Sequence, residues 1–120
     1  MDKLYITEDL VYIHGSLRII NNCDGYYATY YDENESLQEV IVNVIEGIPL
    51  TPKILEKNRW REEKGDYIND NYHIRLCEKI DGYSAYKVVN DAIVWLRDVE
   101  SVSDLQHLFF GLNLNSEMEV

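Results

Sequence analysis

The sequence is short of nearly everything that announces a chemical activity. Its two cysteines, Cys23 and Cys77, stand far apart in no C-x-x-C pairing. They offer no thiolate metal motif, and two reduced thiols fit a chain without a secretory leader better than one disulfide. The three histidines, His14, His73 and His107, each stand alone. Asp104-Leu105-Gln106-His107 matches only the second half of a zincin motif, with Ser103 where the first histidine must be. His73 and Cys77 lie four apart in an expected strand, about 13 Å from each other and out of contact. Cys23 sits among acidic residues, which do nothing to lower a thiol pKa. There is no Gly-rich phosphate loop, no G-x-S-x-G elbow and no S-x-x-K. No catalytic residue, metal ligand or cofactor site is assigned.

Positive charge is scarce as well. Eleven Lys and Arg face 22 Asp and Glu, a net charge of −11 that argues against direct nucleic-acid binding. With 22 carboxylates in the chain, a pair at glycosidase spacing arises by chance and carries no signal. No apolar run approaches the ~20 residues of a membrane span, and no basic, apolar leader opens the chain. The expectation is a soluble cytoplasmic protein with no membrane attachment.

What is present is a 120-residue chain with ten tyrosines. A chain of this size buries about two-thirds of its unfolded surface and folds without a staple. Residues 1–47 alternate short apolar runs with turn signals, which predicts strands over Leu10–Ile13, Leu17–Ile20, Tyr26–Tyr31 and Leu37–Ile45. That spacing suggests a curled, SH3-like antiparallel sheet. Thr51 as N-cap, Pro52 at the first helical position and Leu50 with Leu55 as a staple predict a short helix ending near Asn58. Trp60 is expected to plug the seam between this helix and the sheet, and Arg61 to Gly65 to form a charged loop.

Alternation over Tyr72–Cys77, a turn at Asp81-Gly82 and a return over Tyr83–Val89 predict a second antiparallel segment. Ala92–Leu96 is the most apolar run and reads as a central strand. Ser103 with Gln106 reads as a capping box for a last helix whose apolar face is Leu105, Leu108, Phe109 and Leu112. Gly111 or Asn113 would supply its left-handed end. Glu117–Val120 would add a short edge strand, and through it a homodimer. The fold class is therefore α+β: an N-terminal β unit over 1–47 and a helix-β-β-β-helix unit over 48–120, packed as one body.

The segments Ile48-Pro49-Leu50-Thr51-Pro52-Lys53-Ile54-Leu55-Glu56-Lys57-Asn58 and Asp104-Leu105-Gln106-His107-Leu108-Phe109-Phe110, with the acidic tail, carry a resemblance. The chain, from about Ile6 to Val120, resembles small proteins encoded by phages and prophages of gut anaerobes. It departs from them at Arg59-Trp60, where a Gly-Phe-type pair is usual, which puts the local turn in question. The resemblance implies an accessory protein of a mobile element and brings no assigned activity.

Two clusters remain as candidate protein-binding residues. Tyr26, Tyr27, Tyr30 and Tyr31 place two rings on each face of one strand, so one pair faces solvent if the other packs inward. Lys53, Lys57, Arg59 and Arg61 belong to an island, residues 51–64, with five bases and three acids (+2). It lies between halves carrying −7 (nine acids, two bases) and −6 (ten acids, four bases). The leading expectation is a non-enzymatic module acting on an unknown protein partner. The alternatives are an acidic nucleic-acid mimic that inhibits a DNA-binding defence protein, and a small enzyme of unrecognised class.

Overall fold

The computed structural model describes residues 5–120 and has the expected α+β class. In chain order the strands of the N-terminal half are β1 (Leu10–Ile13), β2 (Ser16–Ile19), β3 (Asn22–Cys23), β4 (Tyr27–Tyr31), β5 (Leu37–Ile41) and β6 (Ile45–Glu46). Helix α1 (Pro52–Lys57) follows, then β7 (Arg61–Glu63), β8 (Asp66–Asn69), β9 (Ile74–Lys79), β10 (Gly82–Val89), β11 (Ala92–Val99) and helix α2 (Val102–Gly111). The strands form three antiparallel sheets, ordered β2-β1-β6, β3-β4-β5 and β11-β10-β9-β8-β7.

The two small sheets close over one core of Tyr5, Val11, Ile13, Ile20, Ala28, Tyr30, Val42 and Ile45. The expected Leu37–Ile45 strand is broken to allow this. A 3-10 turn at Val42–Val44 ends β5, and β6 then crosses to the other sheet and pairs with β1. A continuous strand would have had to belong to both sheets at once.

The second core lies between the five-stranded meander and the two helices. It holds Leu50, Leu55, Trp60, Ile74, Leu76, Val99, Val102, Leu105 and Phe109, among others. Thr51 caps α1 by accepting from the Ile54 N–H at 3.3 Å, with Pro52 at the first turn and Leu50 and Leu55 both buried. Trp60 is buried against Phe109, their rings stacked at 6.1 Å. The turn with the unusual Arg59 keeps a Schellman geometry: Trp60 N–H donates to Leu55 O and Arg59 N–H to Glu56 O, with Arg59 at φ 68°.

Four local expectations are corrected. Arg61 to Gly65 is a hairpin, in which Arg61–Glu63 pairs with β8 across Lys64-Gly65, both at positive φ as a type I′ turn requires. The N-cap of α2 is Ser101 with Asp104, two residues before the expected Ser103–Gln106 box. Ser103 is buried, and the Gln106 side chain bonds elsewhere. Asn113, one of the two residues expected there, is the left-handed end of α2, but Leu112, expected on the apolar face, sits exposed at the C-cap. Glu117–Val120 pairs with no strand, so the edge expected there does not form. That segment is instead held by side chains: Asn58 both donates to Glu119 O and accepts from Glu119 N–H, and Lys57 donates to Val120 O.

The apolar run Ala92–Leu96 is also misplaced by the sequence reading. It lies in β11, the edge of the large sheet, and Ile93, Val94 and Trp95 are each more than half exposed.

The two cores meet at β1. Leu10 and Tyr12 point into the C-terminal core, and Val11 and Ile13 into the N-terminal one. Gln106, only 2% exposed, fixes that strand by accepting from Leu10 N–H at 2.8 Å and donating to Glu8 O at 3.1 Å. Its amide also donates to Ser116 O at 3.1 Å. Gln106→Ala strands the buried Leu10 N–H and should cost about 3 kcal/mol, read by urea denaturation. Gly82 supplies a second test. A Cβ there would lie 2.5 Å from Val99 O at φ +126°, so Gly82→Ala should destabilise by roughly 2 kcal/mol in the same assay.

Candidate functional site

The four tyrosines divide by the strand's period of two. Ala28 and Tyr30 point into the N-terminal core, Tyr30 with only 8% exposure. The Arg18 guanidinium lies 5.3 Å from the Tyr30 ring centre and pairs with Glu33 at 2.6 Å. Tyr27 and Tyr31 point outward, 49% and 56% exposed. Tyr26 lies outside the strand and is exposed, so the expected two rings on each face become one buried ring and three exposed. The Asp24 carboxylate accepts from both the Tyr26 and Tyr27 N–H groups at 2.8 Å and sets where the strand begins.

The outward face is broader than the tyrosines alone. In the β4–β5 register Tyr27 is opposite Ile41, Thr29 opposite Glu39, and Tyr31 opposite Leu37. Ile41 and Leu37 are exposed with their partners. Tyr31 also borders a shallow cavity of about 400 Å³ with Leu17 and Ile19 of β2, both exposed. Six apolar side chains are thus exposed on this side, with the Thr29–Glu39 pair standing between Tyr27–Ile41 and Tyr31–Leu37, and Asp32, Glu33 and Glu35 in the adjoining turn. The sequence reading missed Leu17, Ile19, Leu37 and Ile41. Their signal was available: once Ala28 and Tyr30 face the core, the strand register sends Leu37 and Ile41 to solvent with Tyr31 and Tyr27.

The basic residues do not form one patch. Lys53 is exposed on α1, and Lys57 is engaged with Val120 O. Arg61 is clasped by Asp70 through two bonds at 3.1 Å and by Glu63 at 2.7 Å, which raises its already high pKa further. Arg59 and Lys57 line an open cleft of about 940 Å³ with Glu8, Asp70, Tyr72 and Glu117. No histidine, cysteine or serine lines that cleft.

Among the described residues no group of three or more His, Cys, Asp or Glu is placed to hold a metal ion. Cys23 and Cys77 are free thiols, and burial followed by the Asp66 charge pushes the Cys77 pKa up, away from nucleophilic use. His73 stands in the turn before β9 at φ 56°, so it does not share a strand face with Cys77. His107 Nε2 lies 2.5 Å from Oδ2 of the buried Asp9, which also accepts from Ile6 N–H. Those contacts tie α2 to the N-terminal sheets. No helix of the described residues is long and apolar enough to cross a membrane. No protein family, curated protein or solved structure matches the chain.

The tyrosine face depends on carboxylates held as anions. The Tyr27 and Tyr26 N–H groups hold the Asp24 carboxyl below its ordinary range. The Ser36 N–H does the same for Asp32 at the β4–β5 turn. Both pKa values are depressed in the folded state. Their contribution is therefore complete above about pH 4 and is lost as pH falls through the lower folded values. The Tyr27 and Ser36 amide NMR signals should shift together on acidification below about pH 4, before the far-UV spectrum changes.

Proposed function

We propose that this chain is a non-enzymatic protein-binding module whose docking surface is the outer face of β4 and β5, joined by Leu17 and Ile19. One observation carries the reading: Tyr27, Tyr31, Leu37 and Ile41 stand exposed on one sheet face while Ala28 and Tyr30 on the other side of β4 are buried in the core. Clustered exposed apolar side chains of this kind mark interaction sites, and aromatic residues are enriched in them. Glu35 and Glu39, whose side chains meet no partner among the described residues, favour a partner with basic side chains beside an apolar strip. They also repel phosphate, so the rings are poorly suited to stack on nucleic acid.

The resemblance to phage and prophage proteins supports a role as a mobile-element accessory acting on a protein of the bacterial host cytoplasm. A nucleic-acid mimic needs free carboxylates in ordered rows. Here Asp24 and Asp32 are spent on turn amides and Glu33 on Arg18, which leaves that reading the weaker one. An enzymatic reading has a cleft but no activated group lining it.

Pull-down from host lysate should recover a specific partner with the wild-type chain. Tyr31→Asp and Leu37→Asp, both at exposed positions, should each weaken capture at least tenfold, and rising salt should weaken it further. Equal capture by the wild type and both variants would place the docking surface elsewhere.

A further inference from the structure

We propose that the groove holding residues 115–120 is a peptide-binding site: the chain's own segment is its resident occupant, and an extended segment of a partner protein replaces it. Those residues lie along the body without joining any sheet. Exposure alternates along them, with Leu114, Ser116, Met118 and Val120 half-buried and Asn115, Glu117 and Glu119 exposed. Leu114, Met118 and Val120 pack against the C-terminal core. A period of two is that of an extended chain offering every second side chain to one surface.

The body reads the backbone of this segment. The Asn58 carboxamide donates to Glu119 O at 2.7 Å and accepts from Glu119 N–H at 2.9 Å, so one side chain meets both main-chain groups of one residue. The same amide nitrogen donates to Ile54 O at 2.8 Å, which anchors the carboxamide to the end of α1 independently of the segment. Lys57 donates to Val120 O at 2.9 Å, and Gln106 to Ser116 O at 3.1 Å. Each of these bonds ends on a main-chain atom of the segment. Main-chain bonds for affinity with sites for alternate side chains are how extended peptides are recognised.

The hold is one that can be exchanged. The bonds from Asn58 and Lys57 to the segment lie at exposed positions, where water replaces them at little cost. No residue from 115 to 120 is fully buried. An open cleft of about 940 Å³ runs beside the segment, lined by Lys57, Asn58, Met118 and Glu119 together with Trp60 and Phe109. An incoming chain therefore reaches Asn58 without the body opening.

Charge narrows the partner. Arg59 lines the same cleft and meets no carboxylate among the described residues, and Lys57 is satisfied there only by a carbonyl. Of the body's carboxylates on the cleft, Asp70 is held by Arg61, which leaves Glu8 against the two cations. They favour carboxylates between apolar anchors, the pattern of Glu117-Met118-Glu119-Val120 itself. This partner is opposite in charge to the one that suits the tyrosine face, and the two sites stand or fall separately.

Tethering gives the resident an effective concentration of about millimolar, so a free peptide of the same sequence competes at a disadvantage that loosening the resident removes.

Fluorescence anisotropy of a labelled peptide spanning residues 113–120, standing for the partner segment and titrated with full chain to about 1 mM, tests this. The wild-type chain should bind it weakly. Chains carrying Glu119→Pro, which lacks the N–H that Asn58 reads, or Met118→Asp, which charges an anchor, should each bind roughly tenfold more tightly. Asn58→Ala added to Glu119→Pro should cancel that gain, and Tyr31→Asp should change nothing. Glu117→Gln with Glu119→Gln in the peptide should weaken binding about threefold. A peptide that itself carries Glu119→Pro should bind none of the chains, a comparison that leaves the fold untouched. Equal binding by wild-type and loosened chains overturns the proposal, as does no binding by either or equal binding of the native and proline peptides. Unchanged binding of the glutamine peptide overturns the acidic partner. A wild-type mass that climbs toward two chains with concentration, and not in Glu119→Pro, makes a second copy the occupant and overturns it too.

Discussion

The two halves of the molecule are coupled by a side chain doing the work of a strand. At Tyr12 and Ile13, β1 has β2 on one side and β6 on the other, but at Leu10 no β6 residue remains to pair with it. The Gln106 carboxamide takes that place, with one acceptor for Leu10 N–H and one donor for Glu8 O. Its neighbour His107 meets Asp9. Two consecutive residues of α2 therefore hold three consecutive residues of the N-terminal half. Because β1 sends alternate side chains into the two cores, any slip of that strand would unpack both. A neutral carboxamide suits the position: it satisfies a donor and an acceptor at once without bringing an unpaired charge inside.

That clamp sets where the open surfaces lie. The β4–β5 face belongs to the N-terminal core's outer wall, and Trp95 to the outer wall of the large sheet. The molecule is elongated, with extents of 48 × 26 × 25 Å, so it has room for two separate open surfaces. Their rims differ in kind. Around the tyrosines the carboxylates outnumber the single nearby cation, Arg18, which is tied to Glu33. On the outer face beside Trp95, Arg61, Arg75 and Lys79 each meet a carboxylate on a neighbouring residue or strand. Exposed ion pairs contribute little to stability, but they decide which approaching surface is repelled.

The features legible in sequence were those fixed by near neighbours. Thr51-Pro52 with its leucine staple, the β9–β10 hairpin (its turn at Ile80-Asp81, one residue before the expected Asp81-Gly82) and the apolar face of α2 need only a few residues to define them. The Ser101 cap was obscured because Ser103 and Gln106 present an equally good local pattern. Only the tertiary demand for a buried carboxamide at Gln106 separates the two. The Arg61–Glu63 strand was hidden because three charged residues in a row read as a loop, although charge is a usual trait of edge strands. Of the tyrosines, alternation foresaw an outward pair, but not that Tyr26 would fall before the strand. The four aliphatic residues beside them belong to other strands and become neighbours only through register. Ala92–Leu96 was the deepest misreading. Apolar character reports that a strand will be covered, and cannot say whether the cover comes from the same chain.

That last point gives the surfaces a common logic. A sequence specifies its fold best where propensity, pattern and burial agree, and departures from agreement concentrate where something besides folding is being satisfied. Most of this chain agrees: its helices are capped, several of its turns carry Gly, Asn or His at positive φ, and its cores are apolar. Disagreement gathers on the outer face of β4–β5 and on β11, where large apolar side chains stand in water without contributing to either core. Arg59, held at φ 68° where glycine would be unstrained, is a third kind of departure, shared with Glu8, Glu35 and Lys64, and it lies on the rim of the cleft beside Lys57. Folding alone favours a polar residue at the first two places and glycine at the third. The two apolar departures are extended and in register, and apart from Val94 each lies on one side of its sheet, which is the form a contact surface takes. Arg59 is a single residue whose side chain meets no acceptor among the described hydrogen bonds, and strain at one position defines no surface.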